Sequence, residues 1–425
     1  MVTKCTEIHL LVDRRGDVKV MTGEHKEHKI KVVIAPDSFK GSLSARSVGE
    51  AAATGVKRAI PNAETVVIPM ADGGEGSLDS LDRIVEQEIA LTVRGPAGDP
   101  VHTSYAVIDY EGTPTAFIEC ARSTGLTLID DDARDPFALT SYGLGEQIRH
   151  AAERGYKHIV VFLGGSATTD GGTGLLQALG YRLFDTDDRL LGIEANPLGK
   201  IARIDDRDKL SALDDCRLTI AVDVTNPFYG PEGAALVYGP QKGASPRQVA
   251  QLDHGLQQLA GLIADTYGID LQGISGAGAA GGLGGVLAAL FRAKTQPGFD
   301  IVSEVNGLQS EIDAADWVLT GEGKIDRQST YGKVPVRVAQ MAKRGKQGKQ
   351  GKQGMQGKQD RPVIAIAGTV GDGIDELYEW IDGVFSIQRR PLTLAEALEA
   401  ETARRQIEDT VEQLARIISF NTCHR

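Results

Sequence analysis

From Lys29 onward, short apolar runs alternate with stretches of helical spacing. KVVIA (31–35), ETVVIPM (64–70), AFIEC (116–120), HIVVF (158–162), RLTIAV (217–222), DWVLT (316–320) and PVIAIAG (362–368) read as strands. Most are nearly unbroken in apolarity, as strands buried on both faces of a parallel sheet are. Between the first two, SARSVGEAAATGVKRAI (44–60) sets Ala45, Val48, Ala52, Val56 and Ala59 on one helical stripe, with Ser44 as N-cap. Thr393 with Glu396 fits a capping box ahead of another apolar-striped helical region. Strands alternating with helices predict an α/β protein with a largely parallel sheet.

Two segments fall outside this pattern. Residues 1–28 are polar and unpatterned, so a flexible N-terminal extension is expected, with Met21 as an alternative start. Residues 344–360 repeat G-K-Q with Met355 as the one apolar side chain. Such a tract cannot offset its ordering entropy by burial, which predicts a mobile surface loop between a helix (334–343) and a strand (362–367).

Length and charge narrow the function classes. A chain of 425 residues has two domains as its prior, and 41% hydrophobic with 24% charged residues supports a sizeable core. A formal net charge of −12 argues against a general nucleic-acid binder. Aromatic residues are only 5%, too few for a base-stacking platform. Cys5, Cys120, Cys216 and Cys423 form no C-x-x-C pair and stand beside no histidine at ligand spacing, so neither a disulfide framework nor structural zinc is expected. No apolar run approaches the roughly 20 residues of a membrane span. IHLLV (8–12) is stopped by Asp13, Arg14 and Arg15, too soon for a signal-peptide core. A soluble cytoplasmic protein is the expectation, with no membrane or nucleic-acid partner; a homo-oligomer is left open.

The chemistry lies in the loops at strand ends, where open α/β sheets bind ligands. LGGSATTDGGTGLLQALG (163–180) follows HIVVF and opens a helix. Gly164 and Gly165 allow close approach to an anion, and Ser166, Thr168 and Thr169 offer hydroxyls to phosphate. Asp170 can hold a cation nearby. In APDSFKGSLSA (35–45), Lys40 supplies a mobile cation and Ser38, Ser42 and Ser44 supply hydroxyls; Asp37 suits Mg2+ or a proton. Asp72 and Glu75 flank two glycines in PMADGGEGS (69–77), a spacing suited to a hard cation or to substrate hydroxyls. Asp223, Asn226, Gln241 and Lys242 cluster within 221–245. Glu322, Lys324, Asp326 and Lys333 do so within 319–333. Each loop alone reads equally as a turn with surface polar residues; five of them together read as one shared cleft. A G-x-G-x-x-G at Gly276, Gly278 and Gly281 lacks a preceding strand, so close backbone packing is the favoured reading there. No Walker-A, protein-kinase or H-E-x-x-H signature occurs. No histidine falls in these loops, which leaves acid–base work to carboxylates.

With these loops in hand, the chain closely resembles the bacterial type I glycerate kinases. The resemblance is carried by APDSFKGSLSA, PMADGGEGS, LTSYGLGEQI (139–148), LGGSATTDGGTGLLQALG, DVTNPFYGPEGAA, YGPQKGA, GAGAAGGLG and LTGEGKIDRQSTYGKVP, in the family's order over residues 30–388. It implies transfer of phosphate from ATP, with Mg2+, to D-glycerate, giving 2-phosphoglycerate. It also implies two α/β domains. One is flavodoxin-like and discontinuous (29–90 and 291–425); the other (91–290) resembles the restriction-endonuclease fold.

Roles for individual residues follow from the matched motifs and the needs of phosphoryl transfer. Asp72, Asp170, Asp223 and Lys333 are assigned to catalysis; Asp223, Asp326 or Asp72 is the candidate base, with Asp223 or Asp72 favoured. Ser38, Lys40, Ser42 and Asn226 are assigned to glycerate. Gly164, Gly165, Ser166, Thr168, Thr169, Lys242 and Glu322 are assigned to ATP, and Asp37, Asp170 and Asp326 to Mg2+. Closure between domains is expected to exclude water. A 3-phosphoglycerate-forming or related hydroxy-acid kinase is the alternative within the class. A nicotinamide-dependent oxidoreductase and a non-catalytic small-acid sensor are the alternatives outside it; nicotinamide absorbance against ADP release separates the first, and turnover the second.

Overall fold

The computed structural model describes residues 8–12, 18–22, 29–343 and 361–422. The G-K-Q tract and most of 1–28 lie outside the described residues. Within 1–28, β1 (Ile8–Val12) and β2 (Val18–Thr22) pair antiparallel, an element the sequence reading does not anticipate.

The chain then runs through β3 (Lys31–Pro36), α1 (Ala45–Ala59) and β4 (Glu64–Val67). A meander follows: β5 (Gln87–Arg94), β6 (Pro100–Tyr110) and β7 (Thr113–Glu119). Next come α2 (Ala121–Thr124), α3 (Tyr142–Glu153), β8 (His158–Phe162) and α4 (Thr173–Ala178). The hairpin β9 (Arg182–Phe184) and β10 (Arg203–Asp205) precedes β11 (Arg217–Ala221). α5 (Ala234–Tyr238), α6 (Pro246–Tyr267), α7 (Leu283–Phe291) and β12 (Lys294–Gln296) complete this part. Last are α8 (Gly298–Val305), α9 (Leu308–Ala314), β13 (Trp317–Ile325), α10 (Val334–Ala342), β14 (Val363–Val370), β15 (Gly383–Ser386), α11 (Leu394–Leu398) and α12 (Ala400–Thr422).

Two sheets organise these elements. The first is five-stranded and parallel throughout, in the order β15-β14-β13-β3-β4. Numbered along its own sequence it reads 2-1-3-4-5 from the β4 edge, the order of flavodoxin-like sheets. The second is six-stranded and mixed, in the order β12-β11-β8-β7-β6-β5. Its β7, β8, β11 and β12 are parallel, while β5, β6 and β7 are joined antiparallel. Sheet membership changes between residues 67 and 87 and again between 296 and 317. The second sheet therefore begins slightly before residue 91 and ends slightly after residue 290.

Local sequence explains the elements that frame the site. Ser44 caps α1 by accepting from Ser47 N (3.2 Å), and Lys57 and Arg58 complement the helix dipole in the last turn. Val48 and Val56 are fully buried under the five-stranded sheet, worth about 1.5–3 kcal/mol each as apolar burial. The other face of that sheet packs on α8, α9 and α10. The same apolar layer continues into Ile108, Phe117, Val160 and Phe162 of the six-stranded sheet. The two sheets thus share a hydrophobic base, which resists rigid-body separation. α3, α4, α6 and α7 cover the outer face of the second sheet.

Candidate active site

The carboxyl ends of β3, β4, β8 and β11 open on one cleft of about 1440 Å³. The chain reaches it through tight turns. After β3, Asp37 N donates to Gly321 O (2.8 Å) and Asp37 Oδ1 accepts from Ser38 N (2.6 Å). Phe39 N bonds back to Leu43 O (2.8 Å), which leaves Lys40 exposed at the loop tip. After β4, Met70 N is tied to Pro36 O (2.9 Å), and Asp72 Oδ1 accepts from Gly74 N (3.1 Å). Gly73 has φ +93°, and a Cβ there would stand 3.0 Å from Gly298 Cα and 3.3 Å from Asp223 Oδ2. Only glycine meets both demands. After β8, Gly164 N donates to Gly73 O (3.1 Å), joining the two glycine loops. After β11, the Asp223 carboxylate accepts from Gly298 N (3.2 Å) at the start of α8.

Charge is concentrated on the cleft floor. Burial pushes the Asp37 carboxyl up to about 7, assisted by the negative charge of Asp72. Burial likewise pushes Asp223 up to about 7, again assisted by Asp72. Asp72 is therefore the electrostatic neighbour of both. Lys242 lines the same cleft and is buried, and desolvation lowers its ammonium to about 8. Lys242 Nζ donates to Ser166 Oγ (2.9 Å) and to Thr168 O (2.7 Å). Among the described residues no carboxylate lies within ion-pair distance of it. A buried cation held by neutral acceptors beside a cleft suits an incoming anion.

The structure brings together Asp37, Ser38, Lys40, Ser42, Asp72, Gly164, Gly165, Ser166, Asp223 and Lys242 on the cleft wall. The Ser42 hydroxyl is buried there without a partner. The other expected site residues lie behind this wall. Thr168 and Thr169 are fully buried, and neither hydroxyl has a partner. Asp170 is also fully buried: Oδ2 accepts from Ser141 N (2.8 Å), Ser141 Oγ (2.8 Å) and Gly174 N (3.2 Å), and Oδ1 from Gly172 N (3.0 Å). With those oxygens engaged, Asp170 is not a free metal ligand. Gly171 and Gly172, both at positive φ, follow it and open α4. Asn226 braces its own loop, donating to Glu232 O (2.7 Å) and accepting from Tyr238 Oη (2.6 Å).

The 319–333 loop stands behind the Asp37 turn. Glu322 is buried, accepts from Ser329 Oγ, and is held above the usual carboxylate range by burial. Lys333 Nζ lies 3.6 Å from Glu322 Oε1, and Asp326 pairs with Lys324 (2.8 Å). That lysine keeps the Asp326 carboxyl low and occupies it, so it too departs from the expected metal role. The glycines at 276, 278 and 281 serve packing: side chains there would press on Val224 O, Pro227 O and Thr168 O.

Cleft residues outside the assigned ligands include Glu75, His102, Glu119 and Arg122. Glu119 carries the most legible signal, a lone carboxylate within the otherwise apolar run AFIEC. His102 stands on β6, opposite Thr92 of β5, in an antiparallel pair absent from the predicted strands.

Comparison with known proteins identifies the family. The model of the glycerate kinase family matches residues 32–419. A glycerate kinase of Halalkalibacterium halodurans is 40% identical over 390 residues, covering 91% of this chain and 97% of that protein. A glycerate 2-kinase of Escherichia coli K12 is 40% identical over 370 residues, covering 87% of this chain and 93% of its own. A crystal structure from Salmonella typhimurium LT2, assigned as a glycerate kinase 2, superposes with a TM-score of 0.78 at 38% identity, covering 93% of this chain and 100% of that one. The glycine-supported strand ends that build the cleft fall within the matched span, and the chain belongs to the glycerate kinase family, as a phosphotransferase.

Proposed function

We propose that the chain transfers the terminal phosphoryl group of ATP to the C2 hydroxyl of D-glycerate, giving 2-phosphoglycerate and ADP. The observation that carries this reading is that Asp37, Asp72 and Asp223 line one cleft together with Lys242 and Ser166. The similarity to a glycerate 2-kinase supports the position of transfer.

Lys40, with the Ser38 and Ser42 hydroxyls, anchors the glycerate carboxylate. Asp223 accepts the proton of the attacking hydroxyl; a carboxyl near 7 is matched to that task at neutral pH. Oxygen 2 of glycerate forms the new bond to phosphorus as the bond to the ADP oxygen breaks. Lys242 and Ser166, with the Gly164–Gly165 turn, hold the ATP phosphates and offset the charge that leaves with ADP. Asp170 fixes the far end of that turn, and Lys333 with Glu322 supports the Asp37 loop from behind.

A buried carboxylate beside a second negative carboxylate offers hard oxygens to a divalent cation, and Asp37 with Asp72 are the residues that would hold Mg2+. When bound, Mg2+ offsets phosphate charge.

The test is ADP release with ATP, Mg2+ and D-glycerate. Asp223→Asn should lower kcat by about 10²-fold or more with the fold intact. Turnover within about threefold of wild type would remove Asp223 as base. ADP release indifferent to D-glycerate would remove the substrate assignment.

A further inference from the structure

Two segments cross between the sheets, and each is tied down at the cleft by a carboxylate from the six-stranded sheet. Asp223 ties the second crossing through Gly298 N. The first crossing, which carries Asp72, is tied by Glu119. Glu119 ends β7 and is 1% exposed. Its Oε1 accepts from Gly76 N (2.9 Å) and its Oε2 from Leu78 N (3.0 Å). These two N–H groups lie at the head of the 3-10 turn Asp79–Ile84. On the other side, the same crossing is fixed by Met70 N on Pro36 O (2.9 Å). Asp72 stands between these two anchors, and it is the residue whose charge acts on both Asp37 and Asp223.

We infer that Glu119 is a positioning residue for phosphoryl transfer: its carboxylate fixes the 72–78 crossing and so sets Asp72 between Asp37 and Asp223. The inference rests on the reading of Asp72 given above. A carboxylate suits this task because each oxygen accepts one N–H. A glutamine of the same shape accepts through one oxygen and turns an NH2 against the second N–H, leaving a buried donor unmatched. Arg122, whose Nε lies 4.0 Å from Glu119 Oε2, keeps its closer contacts for Asp79 (2.5 Å) and Ser104 Oγ (3.2 Å). Glu119 is therefore held mainly by the loop it holds.

The test is a double-mutant cycle on the full chain with Glu119→Gln, Asp72→Asn and the pair, each assayed below its melting temperature. E119Q is expected to lower kcat about tenfold or more, with the KM for ATP within about threefold. Glu119→Asp, which keeps the charge one methylene short, is expected between E119Q and wild type. The double variant is expected to be no slower than D72N alone, because the two residues act as one unit. Multiplied losses in the double variant, or a wild-type kcat in E119Q beside a crippled D72N, would overturn the inference alone. A wild-type kcat in D72N would overturn the reading of Asp72 and the inference with it. Should E119Q not fold, E119D carries the test, and a wild-type kcat there overturns the inference.

Discussion

Asp37 and Asp223 each sit near 7 because protein surrounds them and Asp72 repels their negative forms. The sign of the linkage follows. A carboxyl raised in the folded state binds its proton more tightly there than in the unfolded chain. Its contribution therefore turns against folding as pH rises from about 4, near the ordinary value, to about 7. Asp37→Asn removes that term. Relative to wild type, its melting temperature should rise between pH 4 and pH 7 and then level off. Thermal scans across that range check this, and a flat difference would contradict the raised carboxyl. Residue types at strand ends were legible in the sequence, but the direction of each side chain was not. Asp170 reads as a ligand in the string SATTDGG, yet Ser141, Gly172 and Gly174 turn its carboxylate inward. Ser141 is remote in sequence, so only the fold reveals that contact. The Lys324–Asp326 pair is close in sequence, yet the sequence reading assigns Asp326 to Mg2+ and does not pair it with Lys324.

At the scale of elements, the strand runs and caps were the most legible features. HIVVF is β8 residue for residue, Ser44 caps α1, and Thr393 with Glu396 forms the expected capping box before α11. Unbroken apolar runs are unambiguous because both faces are buried. The β5–β6 pair was missed because its polar residues, among them Glu88, Thr92, His102 and Ser104, face the cleft. Alternation in EIALTV (88–93) was the available signal. The glycine loops carry the sharpest prediction at this scale. A Cβ at Gly164 would overlap Gly74, whose neighbour Gly73 accepts the Gly164 N–H. Gly164→Ala should separate the β4 and β8 loops and lower kcat about tenfold or more, with the far-ultraviolet circular dichroism unchanged. Wild-type turnover in that variant would show that the two loops need not touch.

For the molecule as a whole, two sheets share a buried apolar base and diverge at the strand ends, which leaves one cleft between two sets of loops. No helix among the described residues is long and apolar enough to cross a membrane. Loops carrying Lys40 and Leu128 line that cleft, and both side chains are exposed. The alternation of strands and helices made the α/β class legible. The mixed pairing of the second sheet was not, because strand direction depends on which distant runs meet. The central claim is that this cleft joins phosphate to the secondary hydroxyl of D-glycerate. Proton-coupled phosphorus NMR of the full chain with ATP, Mg2+ and D-glycerate tests it most directly. The account predicts a new phosphomonoester signal split into a doublet by the single proton on carbon 2; a triplet from the methylene of carbon 3, or no new ester at all, would contradict it.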